Sequence, residues 1–166
     1  MGSYALLQIY QRYLVERSRF VKTWPEPWLL WKPVVPREGF ILATGVTSDS
    51  KQAEGVEPVA LEVVKKPASN PFAFGITVGH AENNDIVLPD RSVSRFHAWF
   101  QPTEEGLALA DAESRNGTFV NGERLDPKVP LLLPDHAQLV FGEIPMEFHY
   151  PESFAAFLES LMDREG

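Results

Sequence analysis

The 166-residue sequence contains no cysteine. Disulfide frameworks, thiolate catalysis and zinc–thiolate sites are thereby excluded. No continuous apolar run reaches membrane-spanning length, and the first residues lack the charged and apolar regions of a signal peptide. Met1-Gly2-Ser3 opens like a myristoylation signal, but Leu6 stands where that signal needs Ser or Thr. No internal repeat or low-complexity tract is present. A soluble, cytoplasmic protein that neither spans nor anchors to a membrane is the expectation.

Positive charge is also scarce: 15 Lys and Arg stand against 23 Asp and Glu, a net charge of −8. That balance argues against general nucleic-acid binding. Residues 1–66 carry 9 basic and 7 acidic side chains, a balance of +2, and residues 67–166 carry 6 and 16, a balance of −10. Three of the later six, Arg91, Arg95 and Arg115, cluster near short polar phrases. A positive focus on an acidic body suits a specific anionic ligand better than a long polyanion. The apolar and charged fractions, 44% and 23%, are those of a globular chain long enough to bury a core.

Residues 4–18 read as an amphipathic helix capped by Ser3, with Leu6, Tyr10 and Tyr13 on one face. The stretch from Phe20 to Pro33 holds Trp24, Trp28 and Trp31 among prolines that forbid a regular helix. Exposed tryptophans would be a liability, so this segment is expected to clasp the main domain or to dock a partner. Phe40–Ala43 reads as a short strand, and residues 47–58 as a linker. Beyond it the texture becomes β. Strands are expected at 59–64, 73–79, 85–88, 96–101, 107–111, 118–120, 129–132, 137–141 and 145–149, with a turn at 67–71. Asn121-Gly122 is a tight-hairpin signal. A closing helix over 152–163 would place Phe154, Phe157, Leu158 and Leu161 on one stripe. The expected architecture is an all-β, antiparallel β-sandwich over 59–150, preceded by a helical and Trp/Pro-rich extension (1–58) and followed by a short helix (151–166).

Five phrases occur in order between the strands: Gly79-His80, Asn84-Asp85-Ile86, Ser94-Arg95-Phe96-His97, Ser114-Arg115-Asn116-Gly117-Thr118, and Asn121. Together with Asp135–Gly142 they resemble the forkhead-associated (FHA) domain, a β-sandwich that binds phosphothreonine peptides. The resemblance covers roughly residues 59–150. It implies that Ser94 donates to phosphate, that Arg95 supplies charge from the same loop, and that Asn116 holds the peptide main chain. Ser92 matches a position where a second hydroxyl donor often stands. Arg91 and Arg115 flank the site as candidate readers of acidic neighbours. Gly79, Asp85, His97, Gly117, Thr118 and Asn121 fall at loop-bracing positions.

The departure is at His80, where the family places its characteristic phosphate-contacting arginine. Arginine offers a permanently charged fork of donors, whereas histidine offers one or two and gains charge only near pH 6.5. Three readings stay open: His80 still meets phosphate, Arg95 and Arg91 have replaced it, or phosphate binding is lost. The expected function is a non-catalytic phosphothreonine-reading adaptor in Ser/Thr-kinase signalling, with no cofactor. The alternative is a phosphorylation-independent interaction module. Ser94, His97 and Asp111 supply the ingredients of a triad, but no nucleophile-elbow phrase surrounds Ser94. His80, His97, His136 and His149 show no recognised zinc spacing.

Overall fold

The computed structural model describes residues 3–32, 57–66 and 75–165. Twelve strands and three α-helices follow one another in these segments. They are β1 (Ser3–Ala5), α1 (Leu6–Glu16), α2 (Phe20–Thr23), β2 (Trp28–Trp31), β3 (Val59–Glu62), β4 (Ile76–Gly79), β5 (Ile86–Val87) and β6 (Ala98–Thr103). Then come β7 (Gly106–Asp111), β8 (Thr118–Val120), β9 (Glu123–Arg124), β10 (Leu131–Leu132), β11 (Gln138–Phe141), β12 (Ile144–His149) and α3 (Pro151–Glu165). The strands form a seven-stranded sheet, β1-β3-β2-β12-β11-β8-β9, and a five-stranded sheet, β10-β7-β6-β4-β5. All pairings are antiparallel except β4 with β5. This is the expected β-sandwich, with one parallel pair at its edge.

Period-2 alternation explains how the sheets meet. Along β11, Leu139 and Phe141 are buried while Gln138 is exposed, and in β6 Ala98 and Phe100 point inward. Phe100 lies 6.3 Å from both Phe141 and Phe148, which joins the two sheets through aromatic contacts. Asn121 and Gly122 take φ of 50° and 86°, and the two-residue turn they form closes β8 onto β9 through Val120↔Glu123.

The sheet does not divide at residue 58. β2 lies inside the seven-stranded sheet, pairing with β12 through Leu30↔Glu147 and with β3 through Leu30↔Ala60. The sandwich therefore takes in a strand from the Trp/Pro-rich stretch, which the sequence pattern assigns to an extension. Four apolar residues in a row, Trp28-Leu29-Leu30-Trp31, are what a strand covered on both faces needs, and such a run shows no alternation to betray it. Trp28 is fully buried and stacks on Phe154 of α3 at 4.8 Å, with Trp24, Phe20 and Tyr4 around it. The tryptophan segment is thus an intramolecular clasp that joins both chain ends in a second apolar core.

α1 begins at Leu6 rather than at residue 4, because Ser3–Ala5 pairs with β3 instead of capping the helix. Its first amides find partners in Pro58 O (2.8 Å) and Glu57 Oε1 (2.9 Å). It ends at Glu16, where Arg17 turns to φ +50°. α3 runs slightly longer than expected, with Phe154 and Leu158 fully buried and Phe157 and Leu161 partly so. The Phe40–Ala43 strand, the 67–71 turn and most of the 47–58 linker lie outside the described residues. Among the described residues no helix is long and apolar enough to cross a membrane.

Candidate functional site

Four connections meet at one end of the sandwich: residues 80–85 after β4, 88–97 before β6, 112–117 before β8, and the 142–143 turn between β11 and β12. Gly79 makes the first contact possible. A Cβ there would lie 2.3 Å from Arg95 O and 2.8 Å from Asn84 Nδ2, so only glycine lets the 88–97 loop approach so closely. His80 N donates to Ser94 O (2.9 Å) and Ala81 N to Arg95 O (3.1 Å). Buried Asn84 completes the joint, its Nδ2 donating to Ala81 O (2.8 Å) and Arg95 O (2.7 Å). The carboxylate of Asp85, also buried, accepts from Thr77 N (2.8 Å), Lys65 Nζ (2.9 Å) and Lys66 N (3.0 Å), fixing the start of β5 against β4.

His97, fully buried, joins the second and third loops. Its Nδ1 accepts from Ser94 N (3.0 Å) and its Nε2 lies 2.9 Å from Gly117 O. These partners require a neutral ring with its proton on Nε2. Burial pushes the His97 pKa below the usual value, opposed in part by the Gly117 carbonyl and the Asp111 charge. Both ring nitrogens face backbone groups, so neither addresses the Ser94 hydroxyl as a general base would.

Asp111 shapes the third loop from below. Its buried carboxylate accepts from Ser114 N (3.0 Å), Ser114 Oγ (2.5 Å) and Thr118 Oγ1 (2.6 Å), and Ser114 Oγ in turn accepts from Gly117 N (2.9 Å). Gly117, at φ +91°, turns its carbonyl toward His97. Asn121 sits farther along the sheet, where its Oδ1 accepts from Gln138 N (2.8 Å).

The outer surface carries the polar groups left over from this frame. Ser94 Oγ accepts from Arg115 N (3.0 Å), which leaves its own hydroxyl hydrogen free to donate outward. Asn116 is exposed and uses Nδ2 on Ser92 O (2.8 Å), leaving Oδ1 and a second N–H for other partners. His80, Arg91, Arg95 and Arg115 are all exposed, and among the described residues the three arginines enter no ion pair. Arg115 Nη2 donates to Arg91 O (3.3 Å), bringing the two flanking arginines together. Ser92 is placed differently from the other candidates. It is 6% exposed and its Oγ accepts from Glu143 N (2.9 Å), so it faces the β11–β12 turn rather than the open surface.

Sequence reasoning gave no role to Asn84, Ser114, Gly142 or Glu143, and treated Asp111 only as a triad ingredient. The Asp-x-x-Ser spacing at 111–114 was the available signal, since a carboxylate three residues before a serine can close a local turn. Elsewhere, His136 and His149 meet edge to face at 5.0 Å, yet among the described residues no group of three or more His, Asp or Glu is placed to hold a metal.

Residues 76–142 match the family model of the FHA domain. The chain carries an FHA domain. Its sequence is 42% identical over 73 residues to an ABC transporter ATP-binding/permease protein of Mycobacterium tuberculosis, a match covering 44% of this chain and 8% of that one. It is 35% identical over 91 residues to the glycogen accumulation regulator GarA of the same species, covering 51% and 56% of the two chains. The chain thus spans less than two thirds of either relative. In fold it is similar to the FHA domain of an Arabidopsis thaliana hypothetical protein, with a TM-score of 0.50 at 22% identity over 75% of this chain and 85% of that one.

Proposed function

We propose that this FHA domain is a non-catalytic adaptor that reads phosphothreonine on a protein partner of Ser/Thr-kinase signalling. The observation that carries the reading is the pair Ser94 and Asn116. Each is anchored from behind by a loop contact, and each keeps hydrogen-bonding capacity on the outer side. A phosphothreonine presents near-dianionic charge, several acceptor oxygens and one methyl. Ser94 meets the phosphate, Arg95 supplies charge from the same loop, and Asn116 grips the peptide main chain. Arg91 and Arg115 face acidic groups beside the phosphothreonine. Charge-assisted hydrogen bonds contribute roughly 1.5–3 kcal/mol each, so three near the top of that range reach about −8 kcal/mol, the scale of micromolar binding. Burying the threonine methyl adds only about 0.8 kcal/mol, roughly fourfold over phosphoserine.

His80 stands exposed beside Ser94 and offers fewer donors than the forked guanidinium of arginine. His80→Arg should therefore strengthen binding. Titration calorimetry with one peptide set, with and without the threonine phosphate, tests the reading. Equal affinity for the two forms would reject it in favour of phosphorylation-independent interaction, which histidine in place of the arginine favours. An unchanged affinity in His80→Arg would remove position 80 from the phosphate contact.

A further inference from the structure

We infer that the β11–β12 turn is the seat that aims Asn116, which makes Ser92 and Gly142 positioning residues of the ligand site. The inference rests on the phosphothreonine reading above. Two successive amides of the turn reach the two loops that carry the ligand-facing groups. Gly142 N donates to Gly117 O (3.0 Å), and Glu143 N donates to Ser92 Oγ (2.9 Å). Ser92 relays this anchoring: its N donates to Asp90 Oδ1 (2.8 Å) and its carbonyl accepts from Asn116 Nδ2 (2.8 Å). The turn therefore fixes the carbonyl that orients the Asn116 amide.

Gly142 shows how closely this seat is fitted. Its φ is +62°, and a Cβ there would lie 2.3 Å from Ser92 O and 2.9 Å from Ser92 Oγ. Any side chain at 142 must displace the same carbonyl. Ser92, 6% exposed and engaged on three sides, acts on ligand through Asn116 rather than by touching phosphate. A peptide main chain would feel the change, while an isolated phosphothreonine held by Ser94 and Arg95 would not.

The test compares Ser92→Ala, Asn116→Ala and the double variant in the full chain, using a degenerate phosphothreonine peptide and O-phosphothreonine amino acid as probes. Ser92→Ala should weaken peptide binding about three- to tenfold, the scale of one hydrogen bond. It should leave the amino acid's affinity unchanged and add nothing to Asn116→Ala. Ser92→Thr, which keeps the hydroxyl, should restore peptide affinity. Additive losses, or equal losses for both probes, overturn the proposal. A ligand-free readout separates it from the functional reading: the Asn116 side-chain amide resonances should shift in Ser92→Ala, and in Gly142→Ala if that variant folds. Unmoved resonances in Ser92→Ala overturn the positioning role. If wild type binds no phosphopeptide, the functional reading falls and the amide resonances alone decide the seat.

Discussion

Replacing His97 by alanine should loosen the end of the sandwich where the Ser94 and Asn116 loops meet. The ring is fully buried, braces Ser94 N and Gly117 O from opposite sides, and meets Phe141 edge to face at 6.1 Å. Gly117 O keeps a second donor in Gly142 N (3.0 Å), so removal orphans mainly Ser94 N. One orphaned donor costs about 1–3 kcal/mol, and the cavity left by the ring adds about 2 kcal/mol or more. A total of roughly 3–5 kcal/mol corresponds to a fall in Tm of about 10 °C for a chain of this size. Thermal and urea unfolding measure the stability loss, and calorimetry should show peptide affinity falling with it, since the Ser94 and Gly117 loops lose their common brace. A stability loss under about 1 kcal/mol with unchanged affinity would refute the brace.

The same ring gives a pH signature with a definite sign. Burial depresses the pKa of His97 below its unfolded value, so the unfolded chain takes up the proton first. Its stabilising contribution is complete above the unfolded pKa, near 6.5, and is lost as pH falls through the depressed folded value. A proton on Nδ1 would also confront Ser94 N, donor against donor. His149 contributes with the same sign. Burial lowers its pKa, reinforced by nearby His136 and opposed by Glu147 and Asp135. Wild type should therefore lose stability below about pH 6.5, and a His97 variant should lose less of it between the same pH values. An unchanged pH slope in that variant would assign the acid sensitivity to His149 and other groups.

Asp111→Ala strands three buried donors, Ser114 N, Ser114 Oγ and Thr118 Oγ1, and should cost about 3–5 kcal/mol by urea unfolding; a loss under about 1 kcal/mol would mean the donors find other partners. Gly79→Ala places a methyl 2.3 Å from Arg95 O and should destabilise by at least about 2 kcal/mol, with Tm as the readout and an unchanged Tm as the refutation. His80→Ala, at an exposed side chain, should shift stability by no more than about 0.5 kcal/mol while changing phosphopeptide affinity, and a larger shift in unfolding would contradict a purely ligand-facing role. A chain beginning at Glu57 loses β2 and uncovers the β12 edge and Phe154, so it should show no cooperative thermal transition; a transition within a few degrees of wild type would show that β2 is dispensable.

The sequence made the strands of the FHA core legible because they alternate and are punctuated by Gly, Asn, Asp and Pro. The 118–120 strand falls on β8 as observed, and the others fall within a few residues. β2 was hidden because Trp28–Trp31 is apolar throughout and lies among prolines, a pattern equally suited to a loop clasp or a docking surface. β1 was hidden by its length: three residues followed by a helix look like a helix start, and only pairing with β3 separates the two. At the loop end of the sandwich, the motif placed Ser94, Arg95 and Asn116 on neighbouring loops. It could not tell a hydroxyl facing outward from one facing a turn. Ser92 is two residues from Ser94 and of the same type, and only Glu143 N, 51 residues away, decides its direction.

The hydrogen-bonded frame of these loops does not involve the side chain at position 80. Gly79, Asn84, Ser92, His97 and Asp111 direct their contacts inward, onto backbone groups of neighbouring loops or, for Asp111, onto Ser114 and Thr118. They are buried and their partners are fixed, so a change at any of them registers as lost stability. His80 meets that frame through its backbone N–H to Ser94 O, which any residue but proline supplies. Among the described residues its side chain makes no hydrogen bond, and it is exposed to solvent. The frame therefore sets no requirement on the side chain at position 80 beyond excluding proline. On the proposed reading, the choice between arginine and histidine there bears on the ligand and costs the fold no more than about 0.5 kcal/mol.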